Sequence, residues 1–235
     1  MSTESYAAGQ ANQIPDGQIL SALQLASPSL PIGSFAYSQG LEQVIDRGYV
    51  QDRDGLKAWC RDMLQFGFQQ LDVPILTRLK RAVENEDSKA FLYWNDYLLA
   101  SRETYELYEE ELQLGRSMKR LMASQGWIRE AISWPEDLAF LSAYAMAGSV
   151  LGMGETMLAT SLVWGWLENQ MAVACKTIPL GQTDAQHIIN DLKPLLVSVT
   201  EQGIRLKDDE IAGSLPGQVL FSALHETQYS RLFRS

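Results

Sequence analysis

The amino-acid sequence predicts an all-α protein, folded as a single domain of about nine or ten helices. Three observations carry that reading. Apolar residues recur at three- and four-residue intervals along most of the 235 residues. No stretch alternates with period two, and no Asn-Gly pair marks a hairpin. Two charge-free runs, Leu138 to Gly154 and Thr156 to Leu167, supply a pair of central apolar helices.

Residues 1 to 16 are rich in Ser, Thr, Gln, Asn, Gly and Ala, and read as a disordered tail before a helical domain over 17 to 224. Ile19, Leu20 and Leu23 begin a short helix. Ser27-Pro-Ser-Leu-Pro-Ile-Gly33 ends it, because two prolines and a glycine cannot continue a helix. Ser34 is placed as the N-cap of a helix with Tyr37, Leu41, Val44 and Ile45 on one face. Gly40 inside that helix costs about 1 kcal/mol relative to Ala. It is expected where two backbones approach closely, in the core or at an interface.

Asp52 or Asp54 caps the next helix, whose stripe is Leu56, Trp59, Cys60, Met63 and Gly67. Asp72-Val-Pro74 restarts the chain with proline in a first turn, where it is tolerated. Ser88 caps a helix carrying Phe91, Leu92, Trp94 and Leu98. Thr104 opens a long helix with Glu106, Glu109, Glu110 and Glu111 first and Arg116, Lys119 and Arg120 last, an order that complements the helix dipole. Leu107, Leu114, Met118 and Leu121 form its buried face, and its charges read as a solvated face.

Ser133-Trp-Pro-Glu136 and Thr183-Asp-Ala-Gln186 fit capping boxes and are expected to open two further helices. Gly152-Met-Gly154 separates the two apolar helices. Pro194 is expected to kink the helix of Ile188, Leu192, Leu195, Leu196 and Val199. After Pro216 a last helix carries Val219, Leu220, Ala223 and Leu224.

Composition excludes several classes. Nineteen Lys and Arg against 29 Asp and Glu give a net charge of −10, which disfavours nucleic acid. The charge-free runs hold Ser142, Ala143, Ala145, Ala147, Gly148, Ser149 and Gly152, small rather than greasy residues, and no Lys/Arg cluster flanks them. They read as buried helices, and no membrane association is expected. Cys60 and Cys175 are too few for a disulfide scaffold and read as buried free thiols. With no basic-then-apolar leader, a reducing, cytoplasmic location is expected.

Catalytic constellations are equally lacking. His187 and His225 are the only histidines and sit in no ligand motif, so no metal site or cofactor is expected. No Gly-x-Ser-x-Gly elbow, phosphate loop or dinucleotide fingerprint occurs. The chain therefore reads as an interaction protein with no catalytic residue, not an enzyme.

The segment best suited to interaction is residues 225–235. It carries Tyr229, Leu232 and Phe233 beside Arg231 and Arg234, on an otherwise acidic chain. Flat apolar area next to guanidinium forks is what docking surfaces use. Two fates are open for this tail, binding to a partner or folding back onto its own domain. His225 reads as a hydrogen-bonding partner for it.

Three stretches then carry a resemblance across nearly the whole chain. They are Ser27-Pro-Ser-Leu-Pro-Ile-Gly-Ser-Phe-Ala-Tyr-Ser-Gln-Gly-Leu-Glu42; Ser101-Arg-Glu-Thr-Tyr-Glu-Leu107 with Leu114-Gly-Arg-Ser117; and Ile178-Pro-Leu-Gly-Gln-Thr-Asp-Ala-Gln186 with the tail from His225-Glu226 to Ser235. In these the chain resembles the UreF family of urease accessory proteins. Gln39 and Tyr108 depart from the residues common at their positions. The resemblance implies an all-α homodimer that bridges UreD (also called UreH) and the GTPase UreG, and supports GTP-dependent insertion of nickel into apo-urease. It further implies that Arg231, Leu232, Phe233 and Arg234 contact a partner, that Tyr37 is a candidate contact near the tail or the GTPase surface, and that a wet internal path leads nickel toward UreD. His225, Glu226, Tyr229 and Ser235, in the same docking tail, are expected to share in the partner contact. Gly40 and the small-residue helix near Gly148 are candidates for the dimer surface. The alternative is a generic helical scaffold unrelated to urease.

Overall fold

The computed structural model describes residues 16–235, and it is all-α. The tail read over residues 1–16 lies outside the described residues, apart from Asp16, which opens the first helix. Among the described residues there are ten α-helices and no strand. They are α1 (Asp16–Ala26), α2 (Leu41–Asp46), α3 (Arg53–Asp62), α4 (Val73–Glu84), α5 (Ser88–Ala100), α6 (Tyr105–Gln125), α7 (Phe140–Val150), α8 (Glu155–Thr177), α9 (Gln182–Arg205) and α10 (Pro216–His225).

Helix α7 is the axis of the bundle. Every residue from Leu141 to Ser149 is buried, under α4, α5 and α6. Small side chains let those helices come close. At Gly115 of α6, an added Cβ would stand 1.9 Å from the Leu138 carbonyl oxygen, so only glycine permits this crossing. Helix α8 packs on α9, α1 and α2. Gly152, with φ of 68°, ends α7 in the left-handed conformation that usually closes a helix, and Gly154 starts α8. The two central apolar helices thus have the predicted order, and no described helix is long and apolar enough to cross a membrane.

Asp52 and Thr104 cap α3 and α6 as their sequences suggest, accepting from the Gly55 and Leu107 amides. Other expected starts are displaced. Asp87, not Ser88, caps α5 through the Ala90 amide. Residues 133–139 stay irregular, so the Ser133 box opens nothing; Asn95 Oδ1 and Glu111 Oε2 accept from the Ala139 and Phe140 amides instead. α9 begins at Gln182 with Gly181 as N-cap and no side-chain cap, ahead of the Thr183 box. Pro194 lies inside α9.

Asp72 does not restart the chain either. A π-helical stretch, Met63–Asp72, joins α3 to α4 without a break. A proline ring collides with the carbonyl four residues back in a regular helix. Pro74 lies just past that stretch in the first turn of α4, where its missing N–H is tolerated as expected.

The helix expected from Ser34 is two elements. Ser34–Ala36 forms a short 3-10 turn, the chain then extends, and α2 begins only at Leu41. Gln39 and Gly40 turn the chain with φ of 54° and 87°. A Cβ on Gly40 would also lie 3.3 Å from the Ser222 amide of α10, so the close approach foreseen there is within the chain. Gly148, likewise, faces Leu158 of α8 inside the core. Cys60 is fully buried and Cys175 half-buried; both are free thiols, and burial raises both pKa values.

Candidate functional site

The site is built where three distant pieces of chain meet: the turn before α2, the acidic start of α6, and the residues after α10. Glu106, Glu110 and Glu111 are buried, which corrects the reading of that run as a solvated face. Its basic half, Arg116, Lys119 and Arg120, is exposed as expected.

Buried carboxylates persist only when hydrogen-bonded or paired, and each of these is. Glu42 of α2 accepts from the backbone amides of Leu232 (2.7 Å) and Phe233 (3.0 Å). Glu106 accepts from Arg231 Nη1 at 3.0 Å. His225 lies between the two, with Nε2 3.1 Å from Glu42 Oε2 and Nδ1 2.9 Å from Glu106 Oε2. It is completely buried. Burial opposes its protonation, yet the two carboxylates prevail and its pKa is raised.

One turn along α6, Glu110 accepts from Ser235 Oγ (2.8 Å) and Gln39 Nε2 (2.7 Å). Burial pushes Glu110 up to about 7, against those hydrogen bonds. Gln39 is held from its other side by Trp166 Nε1 at 2.8 Å. That clamp fixes a non-glycine residue in the left-handed region, where strain clusters at functional turns. The turn serves the tail directly. The Ser38 amide donates to the Ser235 main-chain oxygen at 2.7 Å, the Ser38 hydroxyl donates to the same atom, and the Arg234 amide donates to the Ala36 carbonyl at 2.8 Å.

Of the two fates open for residues 225–235, this chain by itself adopts the second. Phe233 is 7% exposed, under the Lys176 ammonium, and Ser235 is buried. Tyr37 is buried beside them; burial raises its pKa and the nearby Arg234 guanidinium partly offsets that. The geometry thus gathers Tyr37, His225, Arg231, Leu232, Phe233, Arg234 and Ser235. Glu226 and Tyr229 do not enter the cluster. Tyr229 is fully exposed and Leu232 is 70% exposed, two apolar side chains presented outward from a tail whose backbone is pinned.

Sequence reasoning missed Glu42, Glu106, Glu110, Ser38 and Gln39. A signal existed for their helix. Glu111 falls in the stripe Leu107, Leu114, Met118, at positions where a solvated residue is out of place. Glu111 indeed binds Arg102 at 2.5 Å, which also holds Asp72 at 2.7 Å, and these carboxylates outweigh burial to raise the Arg102 pKa. Beside these groups lies a cavity of about 360 Å³, lined by Asp72, Glu110, Glu111, Phe68, Leu114 and Trp166 among others. Among the described residues, no three His, Cys, Asp or Glu side chains are placed to hold a metal ion.

Comparison with known proteins identifies the chain. The family model described as UreF matches residues 50–193. The chain belongs to the UreF family. Curated relatives, each named urease accessory protein UreF, resemble it along most of their length. The Chromohalobacter salexigens protein is 45% identical over 213 residues, covering 91% of this chain and 93% of its own. Those of Marinobacter nauticus and Pseudoalteromonas translucida are 42% and 41% identical, covering 94% and 95% of this chain and 95% and 97% of their own. The UreF match covers α3 to α8 and the first half of α9, while the relatives' coverage extends across most of the chain.

Proposed function

We propose that this chain is a non-catalytic accessory protein of urease maturation that bridges UreD (UreH) and the GTPase UreG, in the cytoplasm and as a homodimer. In that assembly it supports GTP-dependent nickel insertion into apo-urease. The similarity to proteins named urease accessory protein UreF, over nine-tenths of the chain, carries the reading. The tail supports it further. Tyr229 and Leu232 are exposed on a pinned backbone beside Arg231 and Arg234, as a docking element requires. Tyr37, His225, Glu226, Phe233 and Ser235 complete or support that contact surface.

Nickel is cargo here. The cavity beside Asp72, Glu110 and Glu111 suits a hydrated cation in transit. Arg102 already pairs Asp72 and Glu111 there, so the attraction comes from the net charge of −10, and the scarcity of imidazole and thiolate avoids trapping the ion.

Co-expression with UreD and UreG tests the bridge. Deleting residues 225–235 is expected to leave a helical protein by circular dichroism while abolishing co-purification of UreD and UreG and activation of urease. Assembly and activation by the truncated chain would contradict the reading. The burial of Phe233 and Ser235 favours a second role for the tail as an internal strap. On that role alone, truncation lowers the Tm and leaves partner capture intact.

A further inference from the structure

We propose that His225 is a proton-operated latch: as an imidazolium joining Glu42 to Glu106 it holds residues 226–235 against the body of the chain, and loss of its proton lets them go. The consequence for partner capture rests on the tail-docking reading above; the latch itself does not.

The argument starts from the acceptors. Ionised carboxylates only accept hydrogen bonds. Glu42 already receives two backbone N–H groups, and Glu106 receives a guanidinium. Both ring nitrogens of His225 face these oxygens, and the imidazolium is the one form of the ring that donates to both. The set is then balanced, with the buried charges of Glu42 and Glu106 offset by the buried His225 and by Arg231 reaching in from the surface. A neutral imidazole has one N–H. Removing the proton would set a ring lone pair against a carboxylate and leave a net negative charge in a site shielded from water.

The same two carboxylates are the tail's anchors. Glu42 holds the Leu232 and Phe233 amides, and Glu106 holds Arg231. Destabilising either carboxylate therefore acts on the tail before it acts on the apolar core. The charged groups facing the latch come from every element around it. They are Glu42 on α2, Glu106 and Glu110 on α6, and Arg231 and Arg234 on the tail, with Lys176 on α8 above Phe233 and Glu226 next in sequence.

The direction with pH follows. The folded pKa of His225 is raised, so its contribution is complete below the ordinary imidazole value of about 6.5. It is lost as pH rises through the raised value. Glu110, pushed up to about 7, acts in the same sense, because its ionisation is disfavoured in the closed state. The tail is held in mildly acidic to neutral solution and freed on the alkaline side.

The experiment uses the full chain with a fluorophore on Ser230→Cys, an exposed tail position, and with Cys175 replaced by Ala. Fluorescence anisotropy is followed from about pH 6 to about pH 10, spanning the ordinary histidine value. Circular dichroism monitors the fold. The expected result is a fall in anisotropy with a midpoint above that value and unchanged helix content. Glu106→Gln, which keeps the shape, should move the midpoint to lower pH. His225→Gln should leave the label mobile across the range. A flat profile in the parent chain, or an unmoved midpoint in both variants, overturns the latch. Because no partner is present, failure here leaves the bridging reading standing. Partner loss with an intact latch would instead strike at that reading.

Discussion

The bundle around α7 and the clasp around the tail are both buried, but they are held by different physics. Around α7 the contacts are apolar and close, fixed by Gly115 at the α6 crossing and Gly148 against Leu158. Such packing is indifferent to pH and intolerant of lost volume. Around the tail the contacts are carboxylates, one imidazole, one guanidinium and backbone amides. They depend on protonation and on the pairing of each buried carboxylate. The difference separates a part of the molecule held by volume from a part held by charge and hydrogen bonds.

Four perturbations sharpen or break that contrast. Glu42→Ala should act most strongly on the clasp. It strands His225 and two tail amides, and breaking one partner of a buried ion pair costs about 3–5 kcal/mol. The expected readout is rapid amide hydrogen exchange after residue 226, with α7 still protected. Leu141→Ala should do the reverse. It leaves a cavity in the core and costs about 2–5 kcal/mol of global stability, measured by urea denaturation. Raising pH should come next, loosening the tail at unchanged helix content, since His225 and Glu110 both favour the closed state in their protonated forms. The smallest effect belongs to Asp191→Asn. That residue bridges Arg53 and Lys57 at an exposed site, and no change in Tm is expected at ordinary salt. If Glu42→Ala and Leu141→Ala gave the same exchange pattern, clasp and core would be one cooperative unit.

The core was legible in the sequence because its signals are local. The spacing of Leu56, Cys60 and Met63, or the small residues from Ser142 to Ser149, needs no knowledge of the rest of the chain. The clasp was not, because its partners are remote. Glu42 meets residues some 190 positions away, and Glu106 meets residues about 120 away. Without them, a run of glutamates on a helix reads as solvated. Helix starts erred for the same reason. The Ser133 box was unused because Asn95 and Glu111 cap α7 from α5 and α6, and the Ser34 start was lost to a turn that serves the tail. The chemical character of residues 225–235 could be read from their composition. Their attachment to their own domain could not.

The most direct test of the bridging account is capture of UreD by chains altered only on the outward side of the tail. Tyr229→Ser and Leu232→Ser remove exposed apolar area and leave the anchoring amides in place. The account predicts an unchanged Tm, loss of UreD from the purified complex, and loss of urease activation with it. Full capture and activation by the double variant would contradict it, and would make the tail a strap for its own domain alone.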